Sequence, residues 1–214
     1  QKVTLVVNDT YNYNVTQEWN ITTTFVNPAI TFVSPTENTG TNFSRNYILA
    51  NVTVTEVNFA NITFRLYNST SQVNSTTYST LITLINWTSL PNELYTYNVT
   101  VVDLSSNSNI TESRTLRLDT IAPSLTVLYP SNNNIIRDGY DYNISLNVSA
   151  TDSGVGIIST YFYSLNGAAN VTFSPNTTII PIASNNNILV YANDSVGNLN
   201  TSSLVNFNLT FTPK

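Results

Sequence analysis

"NPAITFVSPTEN" (27–38) and "APSLTVLYPSNN" (122–133) align with Pro28 on Pro123 and Pro35 on Pro130, an offset of 95 residues. A repeat of that length implies two copies of one unit, each with its own core. Each copy opens on a short alternating strand that a proline closes. Period-two runs of Val, Ile, Leu, Tyr and Thr follow, separated by "SPTENTG", "YPSNNN", "NG" and "DSVGN", and no 3.6-residue stripe competes with them. The chain is therefore expected to be all-β. Seven strands can be laid out twice: 29–34, 46–55, 61–67, 72–77, 80–85, 94–102 and 112–119, then 124–129, 142–150, 157–165, 169–173, 177–182, 188–192 and 203–211. This gives an N-terminal β-strand arm over 1–27 and two domains over 28–120 and 121–214.

Composition excludes several function classes. Charged residues make up 9% of the 214 residues and hydrophobic ones 41%, so Asn, Ser and Thr supply most of the surface polarity. Seven Lys and Arg against twelve Asp and Glu offer no basic stripe for phosphates, so no nucleic acid is expected as a partner. With no His and no Cys, the usual general base, the thiol nucleophile, the thiolate ligand and the disulfide are all missing. No apolar run reaches the length of a transmembrane helix, and no signal-peptide pattern opens the chain. Gln1 is accordingly expected to begin a processed polypeptide.

Eighteen of the 34 asparagines sit in Asn-x-Ser/Thr, where the Ser and Thr content alone would give about nine: Asn8, Asn14, Asn20, Asn42, Asn51, Asn61, Asn68, Asn74, Asn86, Asn98, Asn109, Asn143, Asn147, Asn170, Asn176, Asn193, Asn200 and Asn208. Alternating strands that place Asn and Thr two apart on a wet face produce part of this excess. The functional reading of the same excess, dense N-linked glycosylation of a secreted protein, is the one expected here. Strand phase allows it, because Asn61, Asn98, Asn143 and Asn147 alternate with inward Ile, Phe, Val and Leu.

"SATDSGVGI" (149–157) and "VYANDSVGN" (190–198) resemble the second-to-third-strand and sixth-to-seventh-strand turns of bacterial and archaeal immunoglobulin-like surface repeats. "LPNELYTYNVTVVD" (90–103) is similar to the turn into their sixth strand, with Tyr95 or Tyr97 in the place of a tyrosine corner. The resemblance implies two tandem immunoglobulin-like β-sandwiches of the cysteine-free kind and an extracellular address.

The arm looks like the end of a further repeat. In the 95-residue alignment Ile21, Thr23 and Phe25 fall on Leu116, Leu118 and Thr120, whereas against the second domain the phase slips by one. Val3, Leu5, Val7, Tyr11, Tyr13, Val15, Trp19, Ile21 and Phe25 give it apolar positions that a two-stranded ribbon cannot bury alone. Three destinations follow: its own first domain, the neighbouring repeat of a longer tandem array, or a second copy of the chain. In its cysteine-free, Asn/Thr/Tyr-rich make-up, N-terminal arm and sequon density, the whole layout resembles the subunits of archaeal surface threads. That resemblance implies head-to-tail filaments joined by donor-strand complementation, a pilus-like cell-surface appendage built from copies of itself. The alternative is an adhesin or carbohydrate-binding segment, with other cells or surface glycans as partners.

Asp119 in the linker, Asp152 in the second-to-third-strand turn and Asp194 in the sixth-to-seventh-strand turn belong to three loops that meet at the pole facing the preceding domain. Together they could hold Ca²⁺ with oxygen ligands. Aspartates in turns also serve their own backbones. The matching set in the first domain is Thr24, Glu56 and Asp103. Lys2 and Lys214 are the only lysines, so no Lys-Asn isopeptide staple is expected inside either domain. No carboxylate pair stands out for glycoside hydrolysis, and the alternating Tyr residues are expected to pack sheets. The chain is therefore expected to be non-enzymatic, with no cofactor beyond glycans and the junction Ca²⁺.

Overall fold

The computed structural model describes residues 2–8, 10–11, 14–20, 26–138, 143–154 and 157–211; the side chains of residues 2, 3, 5, 8, 14, 19, 20, 137, 138 and 211 lie outside the description. Alternation sets the architecture. In Ile48–Thr55 (β5), Phe59–Tyr67 (β6) and Leu94–Asp103 (β9), every second residue is buried, and Ile48, Ala50, Ile62, Phe64, Leu66, Tyr95, Tyr97, Val99 and Val101 meet in one core. Ala29–Phe32 (β3), β5 and Leu84–Trp87 (β8) form one layer. Thr41–Phe43 (β4), Arg114–Leu118 (β11), β9, β6 and Gln72–Tyr78 (β7) form the other, with Ser108–Ile110 (β10) on the far part of β9.

The second domain repeats this order. Ser124–Tyr129 (β12), Ile144–Thr151 (β14) and Thr177–Ile179 (β17) make the three-stranded layer. Asn134–Asp138 (β13), Val205–Phe211 (β20), Asn185–Asp194 (β18), Ile158–Leu165 (β15) and Val171–Phe173 (β16) make the larger one, with Leu199–Thr201 (β19) on β18. Its core gathers Ile144, Leu146, Val148, Ile179, Ile188, Val190, Val205, Phe207 and Leu209. The fold is all-β, two tandem immunoglobulin-like sandwiches.

Four short strands were not expected from the sequence. In each domain the first strand ends at a cis-proline, Ser34–Pro35 or Tyr129–Pro130. The chain then crosses to the larger layer, where β4 and β13 pair parallel with the last strand. β10 and β19 are short hairpin returns on the sixth strand. The expected strand 80–85 is displaced to Leu84–Trp87, because Trp87 is the side chain that reaches the core, its indole N–H donating to Asn74 Oδ1 at 3.2 Å.

In the arm, Lys2–Asn8 (β1) and Asn14–Asn20 (β2) form an antiparallel two-stranded sheet of their own. Its ladder pairs Asn8 with Asn14, Val7 with Val15 and Val3 with Trp19. β9–β10 pairs Val102 with Ser108, and β18–β19 pairs Asn193 with Leu199. All three ladders end on pairs the same number of residues apart, and in the sequence the first member of each pair is followed by an aspartate, Asp9, Asp103 or Asp194. The ladder thus sets Asn8 on Val102, one residue away from the proline-anchored alignment that put Ile21 on Leu116, and on Asn193, in agreement with the alignment to the second domain.

Candidate metal centre at the interdomain junction

The Asp194 turn is built by its own side chain. Asp194 Oδ1 accepts from the backbone N–H groups of Val196 and Asn198, and Oδ2 accepts from Asn198 Nδ2 at 2.7 Å. Such local bonds are the reason Asp and Asn occupy turns. Asn198 then reaches across the linker: its Nδ2 donates to the Asp119 carbonyl at 2.9 Å, and its Oδ1 accepts a short hydrogen bond from Ser44 of the first domain. Asp119 follows directly on β11 and is fully buried. Its Oδ1 accepts from the Ile121 backbone N–H at 3.0 Å and from Asn92 Nδ2 at 3.3 Å.

Asp152 closes the group. Its Oδ1 caps the Gly154 backbone N–H at 2.8 Å, while its Oδ2 is enclosed with no hydrogen-bond partner among the described residues. One oxygen of each of Asp119, Asp152 and Asp194 lies within 4.8 Å of the other two. Gly154 makes the approach possible, since a Cβ there would fall on the Asp119 carboxylate, 2.7 Å from its Cγ. Three like charges so close repel by on the order of 3 kcal/mol per pair at an effective dielectric near 20. A hard divalent cation answers both the repulsion and the orphaned oxygen. Carboxylates and carbonyls are the ligand set Ca²⁺ takes, and neither a thiolate nor an imidazole is there to favour a softer metal.

The first domain has the same turn, and among the described residues no such cluster beside it. Asp103 Oδ1 accepts from the N–H groups of Ser105 and Asn107, and Oδ2 from Asn107 Nδ2 at 2.7 Å. The Asn107 amide holds the Asp103 carboxyl below the usual carboxylate range, against the opposing effect of burial. Glu56 caps Asn58 N–H as Asp152 caps Gly154. Thr24, the third position, lies outside the described residues.

Sequence reasoning selected the three aspartates but missed Gly154, Asn198 and Asn92, which shape and support their arrangement. The recurrence of Asn four residues after Asp, in both Asp103/Asn107 and Asp194/Asn198, was the available signal. Among the sequons, Asn42, Asn86, Asn109, Asn143, Asn170, Asn176 and Asn208 are exposed; Asn51, Asn61, Asn68, Asn74, Asn98, Asn147, Asn193 and Asn200 are half-buried. The side chains of Asn8, Asn14 and Asn20 lie outside the description. In the arm, Val7, Tyr11 and Val15 are exposed, at 55%, 83% and 65%. The backbones of Val3, Leu5 and Trp19 take part in the ladder, while Tyr13, Ile21 and Phe25 lie outside the described residues.

No family model matches the chain, and no curated protein matches it. Among solved structures, it is similar to the fibronectin(III)-like modules of Clostridium thermocellum CbhA, at 17% identity over 86% of this chain and 94% of that one, with a TM-score of 0.41. It is also similar to Drosophila N-cadherin EC1-3, at 13% identity over 87% of this chain and 68% of that one, with a TM-score of 0.34.

Proposed function

We propose that the chain is a non-catalytic structural subunit of an extracellular, N-glycosylated filament, joined head to tail through its N-terminal hairpin. The observation that carries this reading is the β1–β2 ladder. It has the register of β9–β10 and β18–β19, each of which belongs to a sandwich, yet in the arm it pairs with no third strand among the described residues. A hairpin with exposed Val6, Val7, Tyr11 and Val15 gains by adding to strands from another body. A second copy supplies them in a filament. Within each subunit, a divalent cation on Asp119, Asp152 and Asp194 would hold the two sandwiches in line, so that a pull on one domain reaches the next.

Deleting residues 1–27 tests it. Both sandwiches keep their cores, so the truncated chain should fold and stay monomeric in size-exclusion chromatography and electron microscopy, while the full chain assembles. Assembly that survives the deletion sinks the reading. The same register favours a second one, in which the hairpin closes a preceding sandwich in a longer tandem surface protein. The length of the native polypeptide separates them: close to this chain for a subunit, several times longer for an array.

A further inference from the structure

On the reading that the chain is N-glycosylated, we infer that the sequons divide by what their amides already do in the fold: Asn42, Asn86, Asn143, Asn170 and Asn208 carry glycans, whereas Asn51, Asn109 and Asn200 stay bare. Asn109 and Asn200 are the clearest pair. Asn109 Nδ2 donates to the Pro28 carbonyl at 3.0 Å and its Oδ1 accepts from the Ile110 N–H. Asn200 Nδ2 donates to the Pro123 carbonyl at 2.6 Å and its Oδ1 accepts from the Thr201 N–H.

The hydroxyls of the same two sequons are occupied as well. Thr111 Oγ1 accepts from Val99 N–H and donates to the Glu112 carbonyl; Ser202 Oγ accepts from Val190 N–H and donates to the Ser203 carbonyl. In both domains Asn-x-Thr or Asn-x-Ser is thus a clamp that ties the start of the domain to the return from its sixth strand. Satisfying buried backbone groups explains the motif without a sugar. Asn51 is engaged in a similar way, its Nδ2 donating to the Ser34 carbonyl at 2.7 Å.

The chemistry of attachment sets the division. Nδ2 attacks C1 of a polyprenyl-phosphate-linked oligosaccharide; the C1–N bond forms, the C1–O bond breaks with its electron pair leaving on the lipid phosphate, and Nδ2 gives up one proton. An amide nitrogen that donates to a carbonyl 2.6 to 3.0 Å away, with its Oδ1 bonded as well, has one hydrogen committed and its orientation fixed against the fold, so it meets the sugar donor only when the clamp opens. By contrast, Asn42, Asn86, Asn143, Asn170 and Asn208 are exposed, and none has a side-chain hydrogen bond to the described residues.

Glycopeptide mass spectrometry of protein from its native source tests the division. Sugar should appear on Asn42, Asn86, Asn143, Asn170 and Asn208, with the Asn51, Asn109 and Asn200 peptides at unmodified mass. Occupancy of Asn109 or Asn200 equal to that of Asn143 overturns the inference and leaves glycosylation standing; unmodified peptides throughout overturn both. In unglycosylated recombinant protein, Asn200→Ala should lower Tm by several degrees and Asn143→Ala should leave it in place. Equal Tm values would remove the clamp and the inference with it.

Discussion

The two sandwiches share ladder registers, cis-prolines and the Asp-x-x-x-Asn turn, yet they solve the approach to the sixth strand differently. In the first, Tyr95 is buried and its hydroxyl donates to the Pro91 carbonyl at 3.0 Å, four residues upstream, which makes Tyr95 rather than Tyr97 the tyrosine corner. The ladder puts Asn186 at the same place in the second, and its Nδ2 donates to the Ala183 carbonyl at 2.6 Å. An amide thus does the pinning of a phenol, but without its apolar bulk. Tyr97, which donates to the Glu37 carbonyl and packs on Phe32 and Trp87, is matched by Ile188. The same topology therefore buries four aromatic side chains, Phe64, Trp87, Tyr95 and Tyr97, in one core and Phe207 in the other. What the repeat keeps is the backbone pairing and the turns; the filling is replaceable.

The largest expected effect comes from emptying each core in turn. Phe64→Ala and Phe207→Ala remove side chains almost completely excluded from solvent, and each should cost about 3 to 5 kcal/mol in its own domain. Calorimetry should then show one transition move and the other stay. If both transitions fall together with either substitution, the junction couples the two units and they cannot be treated as separate folds.

Next in size is the junction, which distinguishes the poles of the two domains. A cation bound only by the native state would add about 2.7 kcal/mol when present at a hundred times its dissociation constant. Adding Ca²⁺ after chelation should therefore raise Tm, and Asp119→Asn or Asp152→Asn should abolish that rise. Gly154→Ala should do the same, because its Cβ would push the Asp119 carboxylate aside. Glu56→Gln, at the matching place in the first domain, should leave the Ca²⁺ response intact. A Ca²⁺ response that Asp152→Asn leaves unchanged would place the ion elsewhere.

How much of this was legible in the sequence depended on how local each signal was. Period-two runs and the paired prolines carry the strands that pair as hairpins or build the core. β4 and β13 escaped because they have three and five residues and gain their identity from a parallel partner some 70 residues away. Asp119, Asp152 and Asp194 could be brought together from fold resemblance alone, since each lies in a loop whose pole is fixed by topology. The roles of Gly154 and Asn198 could not, because they depend on distances across the junction. Tyr95 and Tyr97 share a phase, so alternation could not choose between them; only the reach of a hydroxyl to Pro91 does.

Titration separates the domains further. Burial, against the opposing effect of Arg114 and with a smaller contribution from Glu37, pushes Tyr97 from 10.0 up to about 12. A group whose folded pKa is raised gives stability that is whole below its unfolded value and lost as pH climbs through the folded one. The first domain should therefore weaken from about pH 10 toward 12, and Tyr97→Phe should reduce that slope, leaving the part that comes from Tyr95, which burial also raises. Asp103 acts with the opposite sign. Its carboxyl is held low by Asn107, so its contribution is present above the ordinary carboxylate range and fades as pH falls through the lowered value. Asp103→Asn should flatten the acid limb of the first domain's stability curve. A slope unchanged by either substitution would assign it to other groups.

The smallest effect concerns a single backbone angle. In the Asp194 turn, Gly197 has φ of 97°; the ladder puts Ser106 at the same place in the Asp103 turn, with φ of 67°. A left-handed conformation costs an L-residue about 1 kcal/mol relative to glycine, because its Cβ crowds the following carbonyl. The side-chain bonds of the turn recur in both domains, and in the first Ser106 N–H also donates to the Asp103 carbonyl at 3.1 Å. A Cβ added to Gly197 meets nothing within 4 Å, so the comparison is free of clashes. Ser106→Gly should then raise the first domain's stability by about 1 kcal/mol, and Gly197→Ser should lower the second's by a similar amount. Each shift should appear as a few degrees in that domain's own transition. If Ser106→Gly is neutral or destabilising, the Ser106 side chain contributes something that offsets its strain, and the two turns are alike in shape but not in energy.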